Sequence, residues 1–216
     1  MTASEKRKVK PVAAGCVVSW NDLPIVIISF TCFAAFIIYG ASCAALGAAV
    51  PALSRALNRS ESRVGVIFIF RGAGFLTGTL GSAALMAQPS LPLSKEVITC
   101  LAAITMGIPT YLISCTDQYS LVLGLSVIQG LGFGGIDCIS NCLFPELWGN
   151  RIQPWMQALH LCFGIGAMIG PALVGMCGYV TTYRILGVTG FLPLVALQIH
   201  RFFSTSSNDS LIHDSN

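Results

Sequence analysis

Charged residues are scarce in this chain of 216 residues, of which only 10% are Asp, Glu, Lys or Arg. Soluble domains carry about a quarter of such residues, so the composition excludes an ordinary soluble globular protein. Apolar residues take their place: 54% of the chain is hydrophobic and the mean hydropathy is +0.75. The composition therefore predicts an integral membrane protein.

The usual sequence patterns of metal, cofactor and catalytic sites are also missing. The nine cysteines include no C-x-x-C pair, so neither a disulfide framework nor a structural zinc site is predicted. Gly130-x-Gly132-x-x-Gly135 matches a dinucleotide fingerprint by spacing, but no strand precedes it and no acidic residue follows at the required distance. No nucleophile is paired with a base by a recognisable spacing. We therefore expect neither an enzyme nor a resident cofactor.

Six apolar runs are candidate membrane spans, because a helix needs ~20 apolar residues to cross a bilayer. They cover residues 24–54, 72–94, 97–116, 118–136, 152–183 and 185–200, and the fourth continues past Asp137 as an apolar stretch that ends at Trp148. The alternating short segments of a membrane β-barrel are not seen. We expect an all-α membrane protein with a six-helix bundle over 24–203, a basic N-terminal segment over 1–23 and a polar tail over 204–216.

Positive charge is more frequent on one side of the predicted bundle. With the N-terminus inside, the cytoplasmic segments hold seven Lys and Arg residues and the outer segments hold four. This excess predicts a cytoplasmic N-terminus, and we expect the plasma membrane as the location. The net charge of +3 is explained by this topology and by anionic lipid, so no nucleic-acid partner is expected.

Sequence patterns predict an internal repeat of two three-helix units. Pro51 near the end of the first run corresponds to Pro145 near the end of the fourth, and a Gly-x-Gly-x-x-x-Gly pattern recurs at 72–78 and 164–170. Two units of about 24–116 and 118–203 are thereby predicted. Because each unit has an odd number of spans, the units have opposite topologies, as in many secondary transporters.

Small residues four positions apart allow helix backbones to approach closely in lipid. Three such glycine pairs are predicted to serve helix packing: Gly74 and Gly78, Gly130 and Gly134, and Gly166 and Gly170.

Five polar residues interrupt the fourth and fifth runs: Gln129, Asp137, Asn141, Gln157 and His160. Polar groups at membrane depth are costly and therefore predict a polar cavity. At about 100° per residue, Asp137 and Asn141 lie within about 40° of each other on one helix face. Carboxylate, amide and imidazole groups together match the hydroxyl groups of a sugar, which both donate and accept hydrogen bonds. The alternative is a helix–helix hydrogen-bond network without a ligand.

Arg71 is the only basic residue deep in an apolar region. It either pairs with Asp137, which would neutralise both charges, or lies at a water-filled mouth as a gating contact. Asp137 itself is a candidate coupling residue that either binds Na⁺ or cycles through protonation. The sequence does not choose between Na⁺ and H⁺.

The chain resembles the sodium-dependent glucose transporter branch of the major facilitator superfamily over about residues 25–200. The motifs that carry this resemblance are Phe70-Arg71-Gly72-Ala73-Gly74, Ile136-Asp137-x-x-x-Asn141, Trp148-Gly149, Met156-Gln157-Ala158-Leu159-His160 and Phe163-Gly164-x-Gly166. It is more distantly similar to fucose permeases. The resemblance implies a sugar uniporter or cation symporter that works by alternating access. It also implies substrate or coupling roles for Asp137 and Asn141 and cavity positions for Gln157 and His160.

Two features depart from this family pattern. The loop at 87–92 lacks the superfamily's basic gate signature, and the first run lacks a carboxylate. The superfamily also has twelve helices in two bundles, whereas one bundle is predicted here. We therefore expect a sugar transporter that is either a half-transporter or a truncated form. A half-transporter would act as a homodimer or together with a missing second six-helix half. The alternative is a transport-incompetent protein that associates with a full-length transporter.

Overall fold

The computed structural model describes residues 23–88 and 95–191. Over these residues the regular secondary structure is entirely helical, and no strand is present. The helices are α1 (Leu23–Ala56), α2 (Glu61–Ala87), α3 (Lys95–Ile113), α4 (Tyr119–Trp148) and α5 (Ile152–Thr189), with a short 3-10 turn at Gly149–Arg151 between the last two. The all-α class predicted from the apolar runs is confirmed.

Three helical stretches are long and apolar enough to cross a membrane by length and composition: Ile25–Ala56, Glu61–Ala87 and Tyr119–Thr189. Ile98–Ile113 is a shorter apolar helix. The predicted N-terminal segment and polar tail lie outside the described residues, as does most of the predicted sixth span.

The chain breaks inside α5 at Gly178, where φ is 76° and ψ is 161°. Only glycine adopts this combination of angles without strain, so Gly178 ends one helical segment and Tyr179 begins the next. The sequence interpretation placed this boundary at Arg184, because a charge interrupts the apolar pattern there. Arg184 instead lies on the exposed surface of a continuing helix.

The second span is longer than its charge-free run, which starts at residue 72. The helix begins at Glu61, so Arg71 lies in its interior, almost halfway along its length. The fourth helix ends at Trp148 and has Asp137 in its interior, as the apolar stretch that ends at Trp148 predicted.

Two pairs of helices pack with their backbones in contact. In the pair α1/α5, Cβ atoms added at Gly166 and Gly170 would collide with the carbonyl oxygens of Ile37 and Ala41. In the pair α2/α4, Gly74 and Gly78 stand in the same relation to Val127 and Leu131. In each pair the residue numbers of the contacting positions increase in the same direction along both helices, so the two helices run parallel.

Glycines on the partner helices complete both interfaces. Gly130 and Gly134 of α4 lie against the carbonyl oxygens of Arg71 and Phe75, and Gly40 of α1 lies against that of Phe163. All six glycines singled out in the sequence therefore lie against the backbone of a neighbouring helix.

Contacts between the two pairs are much sparser than contacts within them, and α3 bridges α4 and the second segment of α5. The boundary between the α1/α5 pair and the α2/α4 pair is called the seam below. Two apolar clusters fill the bundle. One contains Leu53, Val64, Ile113, Val122 and Tyr183. It lies at the arginine end, named for the nearby Arg55, Arg59 and Arg63.

The other apolar cluster lies at the opposite end and includes Phe33, Ile98, Phe144, Trp148 and Leu159. This end is called the tryptophan end, after Trp148 and Trp155. Consecutive helices thus alternate in direction between two defined ends of the bundle.

Candidate functional site

A group of polar and aromatic side chains lies at the seam and is called the polar site. It consists of Tyr39 on α1, Arg71 on α2, Asp137 and Asn141 on α4, and His160 on α5. Four of the five helices thus contribute a residue to it.

Asp137 and Asn141 form the acidic part of the polar site. The side-chain Nδ2 of Asn141 donates to the backbone carbonyl oxygen of Asp137 at 2.8 Å. The Asp137 carboxylate lies close enough to the Asn141 side chain and to His160 for both to interact with its charge. Asp137 is half-buried and His160 is exposed, so these groups lie where a ligand can reach them from the α5 side.

Aromatic rings surround this acidic part. Tyr39 packs against Phe133 with ring centroids 4.9 Å apart and against Phe163 with centroids 4.8 Å apart. Phe36 contacts the His160 ring edge-on at 6.3 Å. Such rings offer apolar faces to the C–H surface of a ligand beside the polar groups.

Arg71 supplies the cationic part and is only 7% exposed. Its Nη2 donates to the Cys43 carbonyl oxygen at 3.1 Å and lies 3.9 Å from the Cys43 Sγ. The guanidinium also lies over the rings of Phe68 at 5.3 Å and Phe133 at 5.7 Å. Arg71 therefore binds α1 through Cys43. Tyr39 lies within electrostatic range of both Arg71 and Asp137.

Gln129 lies away from the polar site. It is 2% exposed, and its Nε2 donates to the Thr110 Oγ1 at 2.8 Å across the α3/α4 interface. Thr110 in turn donates to the Met106 carbonyl oxygen at 2.6 Å. The donor of Gln129 is thus engaged by another helix, on a different side of α4 from Asp137. Gln157, one turn before His160, has an exposed side chain on α5.

Aromatic stacking closes the tryptophan end of the seam. Trp148 of α4 and Trp155 of α5 stack with centroids 3.8 Å apart and planes at 12°. Trp155 also stacks on Phe33 of α1 at 6.2 Å, and the Trp148 Nε1 donates to the Ser29 Oγ at 2.9 Å. This stack joins α1, α4 and α5 on the tryptophan-end side of the polar site.

Sequence reasoning missed Tyr39, Cys43, Trp155 and the aromatic stack. The sequence did contain a pattern that indicates part of this aromatic group. Phe33, Phe36 and Tyr39 recur every three residues and so lie towards one face of α1. Apolar aromatics in an apolar helix are common, however, and do not stand out as polar residues do.

A separate crevice of about 290 Å³ lies between α2, α3 and α4. Its lining is mostly apolar and includes Gly78, Ser82, Leu85, Ile98 and Leu131. None of the polar-site residues lines it. In the part of the chain that the structure describes, no group of three or more His, Cys, Asp or Glu residues is arranged to hold a metal ion.

The fold and the site together define a helical membrane protein with charged and hydrogen-bonding groups at the seam between its helices. The curated relatives are transporters. Over 140 residues the chain is 32% identical to sodium-dependent glucose transporter 1 of Rattus norvegicus, a match that covers 65% of this chain and 28% of the relative. It is 33% identical to sodium-dependent glucose transporter 1A of Mus musculus over 65% of this chain and 32% of the relative.

A more distant relative, the 4-hydroxybenzoate transporter PcaK of Acinetobacter baylyi, is 24% identical over 89% of this chain and 42% of the relative. The chain is thus a homologue of transporters of the major facilitator type, related to the sodium-dependent glucose transporter-like branch. The resemblance seen in the sequence motifs is confirmed. No family model matches the chain. The matches span about a third or less of the two glucose transporters.

Proposed function

We propose that the protein transports a glucose-like hexose across a membrane by alternating access, rather than catalysing a reaction. The single observation that carries this proposal is the polar site at the seam, where the Asp137 carboxylate, Asn141 and His160 lie beside the rings of Tyr39 and Phe133. Hydroxyl groups of a sugar match the polar groups, and its C–H face matches the rings. The names of the glucose transporter relatives support the same substrate class.

Cation coupling is part of the proposal. A half-buried carboxylate within a membrane helix is a candidate site for Na⁺ or for a proton. Asp137 is such a group, and the relatives are named sodium-dependent. We propose Asp137 both as the coupling residue and as a solute ligand, together with Asn141, Gln157 and His160. Gln129 remains a proposed ligand only if its carbonyl group reaches the solute, because its amide donor is engaged by Thr110.

For the architecture we propose six helices in two inverted three-helix repeats. The two glycine interfaces support this arrangement, since the repeat relates α2 to the first segment of α5 and α1 to α4. Gly74 and Gly78 pack on α4 as Gly166 and Gly170 pack on α1. The break at Gly178 separates a fifth from a sixth helix under this proposal.

A second bundle completes the transport path in this proposal, supplied either by a second copy of the chain or by another six-helix unit. The outer side of α5 is strongly apolar and exposed, with Met168 at 77% and Met176 at 81%. Lipid or a second bundle would cover this side. The same exposed surface favours the alternative function, an accessory protein that associates with a full-length transporter. The proposed setting is the plasma membrane, with a cytoplasmic N-terminus.

The test is counterflow of radiolabelled glucose into proteoliposomes that contain the purified chain. Asp137→Asn is compared with Asp117→Asn, which changes an exposed carboxylate in the α3–α4 connection. We expect saturable exchange that Asp137→Asn lowers by about tenfold or more and that Asp117→Asn leaves unchanged, because only Asp137 is in the polar site.

A folded chain that shows no exchange would count against autonomous transport. Co-purification with a larger transporter would then support the accessory function, whereas a folded chain that neither exchanges glucose nor recovers a larger transporter would contradict both proposals.

A further inference from the structure

The guanidinium group of Arg71 has one hydrogen-bonding nitrogen that nothing in the described part of the chain satisfies. Nη2 is bonded to the Cys43 carbonyl oxygen, but Nη1 is buried without a partner. A buried donor without an acceptor is destabilising, and more so when it carries charge at membrane depth. Buried polar groups without a partner are rare in folded proteins and call for an explanation, and a bound ligand that supplies the acceptor is one.

The surroundings of Arg71 favour a ligand at the polar site. Its guanidinium lies over the Phe133 ring, and the same ring packs against Tyr39. Tyr39 lies within electrostatic range of both Arg71 and Asp137. Asp137 follows Phe133 by one turn of α4, so the unpartnered donor and the carboxylate lie beside the same aromatic ring.

The two charges restrict the chemistry of the solute. Arginine can only donate hydrogen bonds and an ionised aspartate can only accept them. An anionic solute would satisfy Arg71 but would be repelled by Asp137, and a cationic solute would meet the reverse problem. A neutral solute with several hydroxyl groups satisfies both, because one hydroxyl oxygen accepts while another hydroxyl donates.

We propose that Arg71 is a solute ligand whose Nη1–H donates to one hydroxyl oxygen of a neutral polyhydroxylated solute, while Asp137 accepts from a different hydroxyl of the same molecule. This inference rests on the proposed hexose transport and adds a specificity role for Arg71. It differs from a gate or an internal ion pair, because the acceptor comes from the solute.

The experiment measures equilibrium binding of radiolabelled glucose to the purified chain, with competition by a series of monodeoxyglucoses. Each analogue lacks one hydroxyl group, so a lost bond to a charged side chain weakens competition by about tenfold or more. We expect two such analogues for the wild-type chain. Arg71→Met should weaken glucose binding and abolish the penalty for one of them. Asp137→Asn should reduce the penalty for the other.

Two further variants control for folding and for charge. Arg71→Lys keeps the positive charge without the planar guanidinium, so it should reduce the loss of competition for the same monodeoxyglucose that Arg71→Met affects. It also provides the test if Arg71→Met does not fold. Ser82→Ala changes a buried polar residue of α2 in the separate crevice and should retain the wild-type pattern.

The outcomes separate this inference from the proposed function. If the wild-type chain binds glucose and both Arg71 variants keep the full wild-type pattern of penalties, the solute-ligand role is wrong while hexose binding stands. If a folded wild-type chain binds no glucose, the proposed function fails and the inference fails with it. Loss of the same single penalty in both Arg71 variants supports the proposal.

Discussion

At the scale of single residues, the polar side chains in this bundle have two different kinds of environment. Gln129 is enclosed between α3 and α4 and bonded to Thr110, which is what a structural polar group in a membrane protein looks like. Asp137 and Arg71 instead lie at the seam, where the Nη1 of Arg71 lacks an acceptor. Spacing along α4 could not distinguish these environments. It places Gln129 about 80° from Asp137 around the helix axis, but it does not show which neighbouring helix each side chain contacts.

The bond between Gln129 and Thr110 leads to a stability prediction. Thr110→Val keeps the shape of the side chain but leaves the buried amide donor without its acceptor, so we expect the chain to lose about 1–3 kcal/mol of stability. Thr105→Val is the matched control on the same helix, since the Thr105 hydroxyl donates to Leu101 within α3. Thermal unfolding in detergent measures both.

A second variant tests the cause of that loss. Thr110→Val combined with Gln129→Leu removes both partners, and the stability should recover most of the way towards the wild type. If Thr110→Val proves no more destabilising than Thr105→Val, the hydrogen bond does not contribute to stability.

At the scale of helices, the glycines fall into two groups that the sequence does not distinguish. Gly78 and Gly170 lie against backbone carbonyl groups, whereas Gly81 and Gly164 have nothing within 4 Å of an added Cβ. All four lie on helices rich in small residues. Only the structure shows which of them face a partner.

This division predicts opposite effects of the same substitution. Gly78→Ala and Gly170→Ala force two backbones apart, and we expect each to cost about 1–3 kcal/mol or to prevent folding. Gly81→Ala and Gly164→Ala should be neutral or gain up to about 1 kcal/mol from helix propensity. Unfolding in detergent of the four variants provides the measurement, and equal losses in all four would contradict the packing argument.

Helix bounds show how much of the fold could be predicted from the sequence. The helical class and the relationship to sugar transporters followed from composition and motifs, because these depend on residue type and local spacing. The ends of α2 and the break in α5 did not follow. A charged residue in an apolar sequence commonly indicates the end of a membrane helix. Arg71 instead lies buried inside α2, where it donates a hydrogen bond to the Cys43 carbonyl oxygen of α1. Conversely, the break at Gly178 has no charge beside it and depends on one backbone conformation.

At the scale of the whole molecule, the ends of the helices define two sides. Cys115 follows α3, and Cys177 directly precedes the break in α5. Residues from both regions, Ile113 and Tyr183, share the cluster at the arginine end. Both cysteines are exposed free thiols. Their common position allows the orientation in the membrane to be measured without altering the chain.

We expect a membrane-impermeant maleimide to label Cys115 and Cys177 on intact cells, because the proposed cytoplasmic N-terminus places the arginine end outside. Cys16, in the basic N-terminal segment, should be labelled only after permeabilisation. Peptide mass spectrometry identifies each labelled site. Labelling of Cys16 alone on intact cells would reverse the orientation, and labelling of Cys115 and Cys177 from opposite sides would contradict their placement at one end.

The separation of backbone-packed pairs from a sparsely packed seam also has a consequence for how sequences of this kind can diverge. Substitutions at Gly74 or Gly166 meet another helix's main chain, which cannot adapt, so selection acts on them almost regardless of the solute. Side chains at the seam, such as Tyr39 and His160, contact other side chains that can change together with them. One inherited framework can thus accumulate changes in solute preference while its helix pairs stay the same.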